Sequence, residues 1–212
     1  MLTPLVLAAV TLLPPIGVSV QAGPDIPRAL VMMALEETSA VWSVAGVTFV
    51  WQVAEVAAPQ MSHTNVMIDS ARQGCVHCLC VTIGEETGPE RGSGLPIGWI
   101  VFDDEGTPTS DIHLSYHNAL ALVRAAEGAG TVSRMTVMEL RTLMSRVLGR
   151  ALAHELGHYL LRSKEHTATG LMKARLTAAE FLGTQRGDFE IDPALKARIS
   201  ARLRLTDNVA ER

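Results

Sequence analysis

The chain has 212 residues, 48% of them hydrophobic and 19% charged, with a net charge of −4; that composition supplies a sizeable core and excludes global disorder. Acids and bases are interspersed, without the Lys/Arg stripe that neutralises a phosphate backbone, which argues against nucleic acid as a partner. No repeat, low-complexity tract or long Ser/Gly/Pro linker interrupts the chain, so one domain is expected.

The N-terminal "MLTPLVLAAVTLLPPIGVSVQA" has two readings. Its apolar run from Leu5 to Leu13, the following Pro14 and Pro15, and Val20 and Ala22 at cleavage spacing resemble a secretory signal over residues 1–22. The mature domain would then span 23–212 and work outside the cell or in its envelope. Against this, the first cation after the chain terminus is Arg28, so a basic leader is missing, and "GVSVQ" also reads as a first strand. The run is too short and interrupted to span a bilayer.

From Pro27 to Ala45, apolar residues recur at helical spacing and Gly46 is placed to end the helix. "VTFVWQV" (Val47 to Val53), "NVMID", "LCVTIG", "IGWIVF" and "DIHLSY" are rich in strand formers and imply a mixed sheet. "EETGPERGSGLP" and "DDEGTPTS" separate the later strands as surface loops. A long helix is expected from about Ser133, with Val137, Leu140, Met144, Val147, Leu148, Ala151 and Leu152 as a broad apolar face. Two shorter helices follow, one N-capped by Thr177 and one opened by Asp192 and Pro193. Helix, strands, long helix and short helices, in that order, belong to the α+β class.

The cysteines Cys75, Cys78 and Cys80 cluster around His77 in "CVHCLC". A closed structural zinc site needs four ligands, normally in two separated pairs, and no second pair exists. Catalysis is not assigned to this cluster.

The long helix ends in "HELGHYLLRSKEHTATGLM", positions 154 to 172. Residues four apart share a helix face, so His154 and His158 direct two imidazoles at one point. Glu155 points about 100° around the helix, where it reaches a water beside the metal without becoming a ligand. A catalytic zinc has three protein ligands and an open position. His166, eight residues beyond His158, is the first choice for the third, returned by a reversing loop. The chemistry this set carries is amide hydrolysis by metal-activated water, with Glu155 as base and then acid.

"HELGH", His166 and "TGLM" ending in Met172 resemble the metzincin clan of zinc peptidases, and within it bacterial matrixin-type members. The resemblance implies a zincin-like metallopeptidase domain with a mixed twisted sheet, a long active-site helix and C-terminal helices. It further implies Zn2+ on His154, His158 and His166, a peptide or protein substrate, and Met172 as an apolar floor beneath the metal. Two departures stand out: Leu161 takes the clan's glycine position, and His166 arrives two residues late. Without glycine, Ser163 and Lys164 are expected to make the turn. The rival third ligand is Glu180 on the following helix, an arrangement that gluzincin peptidases resemble. A degenerate, non-catalytic zinc-binding module and a metal-free structural domain are the alternatives from other functional classes. His113, Tyr116 and His117 approach from the last strand and are not assigned a role, and Asp103 with Asp104 lacks the spacing of a calcium loop.

Overall fold

The computed structural model describes residues 13–54, 79–89 and 96–210. Among these residues five strands form one sheet in the order β2-β1-β3-β5-β4: β1 is Ile16–Ala22, β2 Phe49–Val53, β3 Leu79–Gly84, β4 Gly98–Phe102 and β5 Pro108–Ser115. Three neighbouring pairs are parallel and the fourth, β4 with β5, is antiparallel. Alternation sets the buried face: Val18 and Val20, Leu79, Val81 and Ile83, and Ile112 and Leu114 are all within 1% of full burial.

The "GVSVQ" segment is therefore a strand. It pairs on both sides, Val18 facing Trp51 of β2 and Leu79 of β3, so a boundary at Ala22 would remove an inner strand.

Helix α1 (Arg28–Ser43) buries Leu30, Val31, Ala34, Leu35, Val41 and Trp42, and packs on α4 (Val137–Leu161). Two side chains tie them together: Thr38 donates to the Gly149 carbonyl at 2.9 Å and Trp42 Nε1 to that of Ala153 at 3.1 Å. Helix α4 also packs against β4 and β5, which places its C-terminal half beside the sheet edge.

Helix α2 (Tyr116–Glu127) is absent from the sequence reading, which carries β5 through Tyr116. Ser115 caps it by accepting from the Asn118 N–H at 3.1 Å, while Ala119 and Val123 bury one face. Helix α3 is a single turn, Ala129–Val132, and α4 begins later than Ser133. Thr136 and Glu139 form a reciprocal capping box that outcompetes the earlier start: Glu139 accepts from the Thr136 N–H at 2.7 Å and Thr136 Oγ1 from the Glu139 N–H at 3.2 Å. Helices α5 (Ala178–Leu182), N-capped by Thr177, and α6 (Pro193–Ala210) complete the chain, joined by a short 3-10 turn at Gly187–Phe189. The expected strand "NVMID" lies outside the described residues, as do Cys75 and Cys78; Cys80 is half-buried in β3.

Candidate metal centre

His154 and His158 stand one turn apart near the end of α4, facing the space below β4. Each ring is fixed by a backbone carbonyl: His154 Nδ1 lies 2.8 Å from the oxygen of Leu171 and His158 Nδ1 2.7 Å from that of Ser163. A carbonyl only accepts, so both Nδ1 atoms carry the proton and both Nε2 atoms present a lone pair. Those two lone-pair nitrogens face each other at 3.1 Å.

Neither can donate to the other, and the contact is repulsive unless a cation stands between them. Two nitrogens on one tetrahedral zinc stand about 3.3 Å apart, from Zn–N bonds of about 2.05 Å. The pair is therefore arranged for a metal. Burial, followed by the charge of neighbouring His158, pushes the His154 imidazole down to about 4. The ring is thereby neutral across the physiological range, the form that binds metal.

His166 completes the group. Its ring lies 5.4 Å from that of His154 and 4.9 Å from that of His158, and one ligand atom from each histidine falls within 4.8 Å of the others. Its loop is tied back beneath the helix, since the Thr167 N–H donates to the Met172 carbonyl at 2.8 Å. The turn closes at Arg162, earlier than the expected Ser163 and Lys164. Arg162 takes the left-handed conformation (φ 49, ψ 47), with its N–H directed at the carbonyls of His158 and Tyr159. Helix α6 supports this helix end, where Arg202 donates to the carbonyls of Tyr159 and Leu160 at 2.9 and 2.8 Å.

Met172 is 2% exposed and packs its sulfur directly against Gly157. Any side chain at 157 would occupy the space of that sulfur, so the glycine between Glu155 and His158 is what admits the methionine under the metal-facing rings. A second glycine serves Glu155. A Cβ at Gly98 of β4 would stand 3.1 Å from Glu155 Cγ, so the bare backbone lets the carboxylate, 8% exposed, lie against the edge strand. Phe102, at the other end of β4, stands edge-on to His158 with centroids 6.0 Å apart. Sequence reasoning missed Gly98, Phe102 and the Leu171 and Ser163 carbonyls: backbone acceptors leave no trace in side-chain pattern, and Gly98 is intelligible only once β4 lies over α4.

Glu180 is placed elsewhere. It accepts from Lys173 Nζ at 2.7 Å and from the Thr177 N–H at 2.6 Å, and it is not among the ligand atoms that converge. Those two hydrogen bonds, the ammonium first, hold its carboxyl down to about 2. His113 stacks flat on Trp99 at 5.2 Å, and neither His113 nor Tyr116 lines the cleft.

The histidines open on a cleft of about 1200 Å³ whose walls are the whole of β4, Leu122, Ala151 and Phe181, and the stretch from Lys173 to Leu176. Among the described residues, no helix is long and apolar enough to cross a membrane.

Neither a protein-family model nor a curated protein matches this sequence. Among solved structures, the chain is similar to archaemetzincin from Methanopyrus kandleri, at 14% identity and a TM-score of 0.50 over 90% of this chain and 96% of that one. It is also similar to a zinc-dependent peptidase from Methanocorpusculum labreanum, at 13% identity and a TM-score of 0.48 over 86% of this chain and all of the other. The likeness to archaemetzincin extends over nearly the full length of both chains and shows a shared fold, an α+β domain with a mixed five-stranded sheet and a long helix packed against it.

Proposed function

We propose that this domain is a zinc-dependent peptidase, with His154, His158 and His166 as the metal ligands and Glu155 as the proton carrier. The observation that carries the reading is the pair of Nε2 lone pairs facing each other at 3.1 Å, each locked by a carbonyl behind it. Three converging imidazoles are a donor set that suits zinc, and His154, His158 and His166 would hold it. When bound there, zinc would supply acidification of a water and polarisation of a carbonyl oxygen.

The protein residues supply the remaining parts. Among the described residues β4 is an edge strand, and every one of its residues lines the cleft, so an extended peptide can add to it by backbone pairing beside Glu155. The Glu155 carboxylate takes a proton from the attacking water as its oxygen bonds to the carbonyl carbon. It returns that proton to the amine nitrogen as the C–N bond breaks. Burial against Gly98 keeps the carboxylate in one place for both transfers.

The test is hydrolysis of a broad peptide library by the zinc-loaded protein and by its Glu155→Gln variant, with zinc measured in both. The variant is expected to keep its zinc and lose at least about a hundredfold in rate. Cleavage undiminished in the variant would remove Glu155 from the mechanism; zinc in the parent with no cleavage of any peptide would favour a non-catalytic module.

A further inference from the structure

The cleft is cationic although the chain as a whole is acidic. Among the described residues that line it, Lys164, Lys173 and Arg175 are positive and Glu155 is the one carboxylate. Lys173 is neutralised by Glu180 at 2.7 Å. Lys164 and Arg175 form no ion pair among the described residues.

Lys164 is also held in place. Its ammonium sits 4.8 Å over the ring of Phe102, the residue of β4 that stands edge-on to His158. The turn after β4 approaches it too, since a Cβ at Gly106 would stand 3.6 Å from Nζ. In that turn Asp103 Oδ1 accepts from the N–H groups of Glu105 and Thr107 at 3.1 and 2.7 Å, and none of Asp103, Asp104 and Glu105 forms an ion pair with Lys164. A cation laid on an aromatic face loses less freedom on meeting an anion than one on a free stem.

Resting on the peptidase reading, we infer that Lys164 is a carboxylate-recognising residue of the cleft and that the domain takes peptides presenting a carboxylate to it. The carboxylate has two sources, an Asp or Glu side chain or a free peptide C-terminus. Recognition by a solvent-facing pair is modest, about 1 kcal/mol or fivefold, and weakens with salt.

The test is binding rather than turnover, by fluorescence anisotropy on the zinc-loaded Glu155→Gln protein. The probes are ten-residue peptides of otherwise uncharged residues, blocked at the N-terminus and amidated at the C-terminus, carrying one Glu at each position in turn, each with a Gln partner. A further all-neutral peptide with a free C-terminal carboxylate separates the two sources. At one or more positions, or at the terminus, the carboxylate form is expected to bind about fivefold more tightly, with the ratio shrinking at high salt. Lys164→Met, which keeps an apolar stem over Phe102, should bring that ratio to about one, while Arg175→Gln should leave most of it. A ratio near one everywhere, no binding up to millimolar peptide, a ratio surviving Lys164→Met, or a ratio abolished only by Arg175→Gln would each overturn the assignment. Cleavage by the parent without carboxylate preference would remove this inference and leave the peptidase; carboxylate preference without cleavage would do the reverse.

Discussion

Glu155 and Gly157 lie between the two histidines of α4, one as the proposed proton carrier and the other as space. Gly157 admits the Met172 sulfur beneath the rings, so Gly157→Ala overpacks a closed contact and should cost about 1–3 kcal/mol, read as a lower denaturation midpoint. Zinc affinity should fall with it, because the Leu171 carbonyl that orients His154 belongs to the same turn as Met172. The shared direction of His154 and His158, and the different direction of Glu155, were legible at this scale because helical spacing converts sequence separation directly into direction. His166 was legible only as a return within reach, since nothing in its own neighbourhood fixes where a loop goes; the Thr167 to Met172 hydrogen bond does that.

At the scale of elements, the end of α4 departs most from expectation. Arg162 adopts a left-handed conformation that costs a non-glycine residue about 1–2 kcal/mol, in part offset in a glycine by greater unfolded-state freedom. Arg162→Gly should therefore stabilise the domain by up to about 1 kcal/mol, a rise in melting temperature of roughly 2–4 °C, without changing zinc content. One turn before His154, Arg150 is 1% exposed and joins α4 to Glu37 at 2.9 Å and to the carbonyls of Phe181 and Gln185 at 3.0 and 3.1 Å. Arg150→Met would leave the Glu37 carboxylate short of a buried partner and is expected to destabilise by about 3–5 kcal/mol in chemical denaturation. Neither the arginine's role nor helix α2 could be read from the sequence. A long-range ion pair has no local signature, and the Ser115 cap follows directly on a strand pattern that runs into it.

The whole molecule depends on its first strand and on its buried ion pairs. Deleting residues 1–22 removes β1 from between β2 and β3, so that chain should fail to give a cooperative thermal transition, whereas a chain beginning at residue 13 should retain one. Acid should also unfold the domain through Glu37. Burial alone raises this carboxyl, but hydrogen bonds from Arg186 and Arg150 outweigh it and hold the pKa below the ordinary 4.5. A depressed folded-state pKa gives stability that is present above about 4.5 and is lost as pH falls through the folded value. The loss should be smaller in Glu37→Gln, whose stability at neutral pH is already lower. The class of fold was readable from element order and strand composition, but the order β2-β1-β3-β5-β4 was not, because parallel neighbours are chosen by packing between distant segments. The most direct test of the account is zinc per chain, by elemental analysis of metal-replete protein, in the parent and in His166→Ala. One zinc per chain in the parent, with markedly weaker retention against a chelator in His166→Ala, is the result expected from three converging histidines. No zinc in the parent, or full retention in the variant, would contradict it.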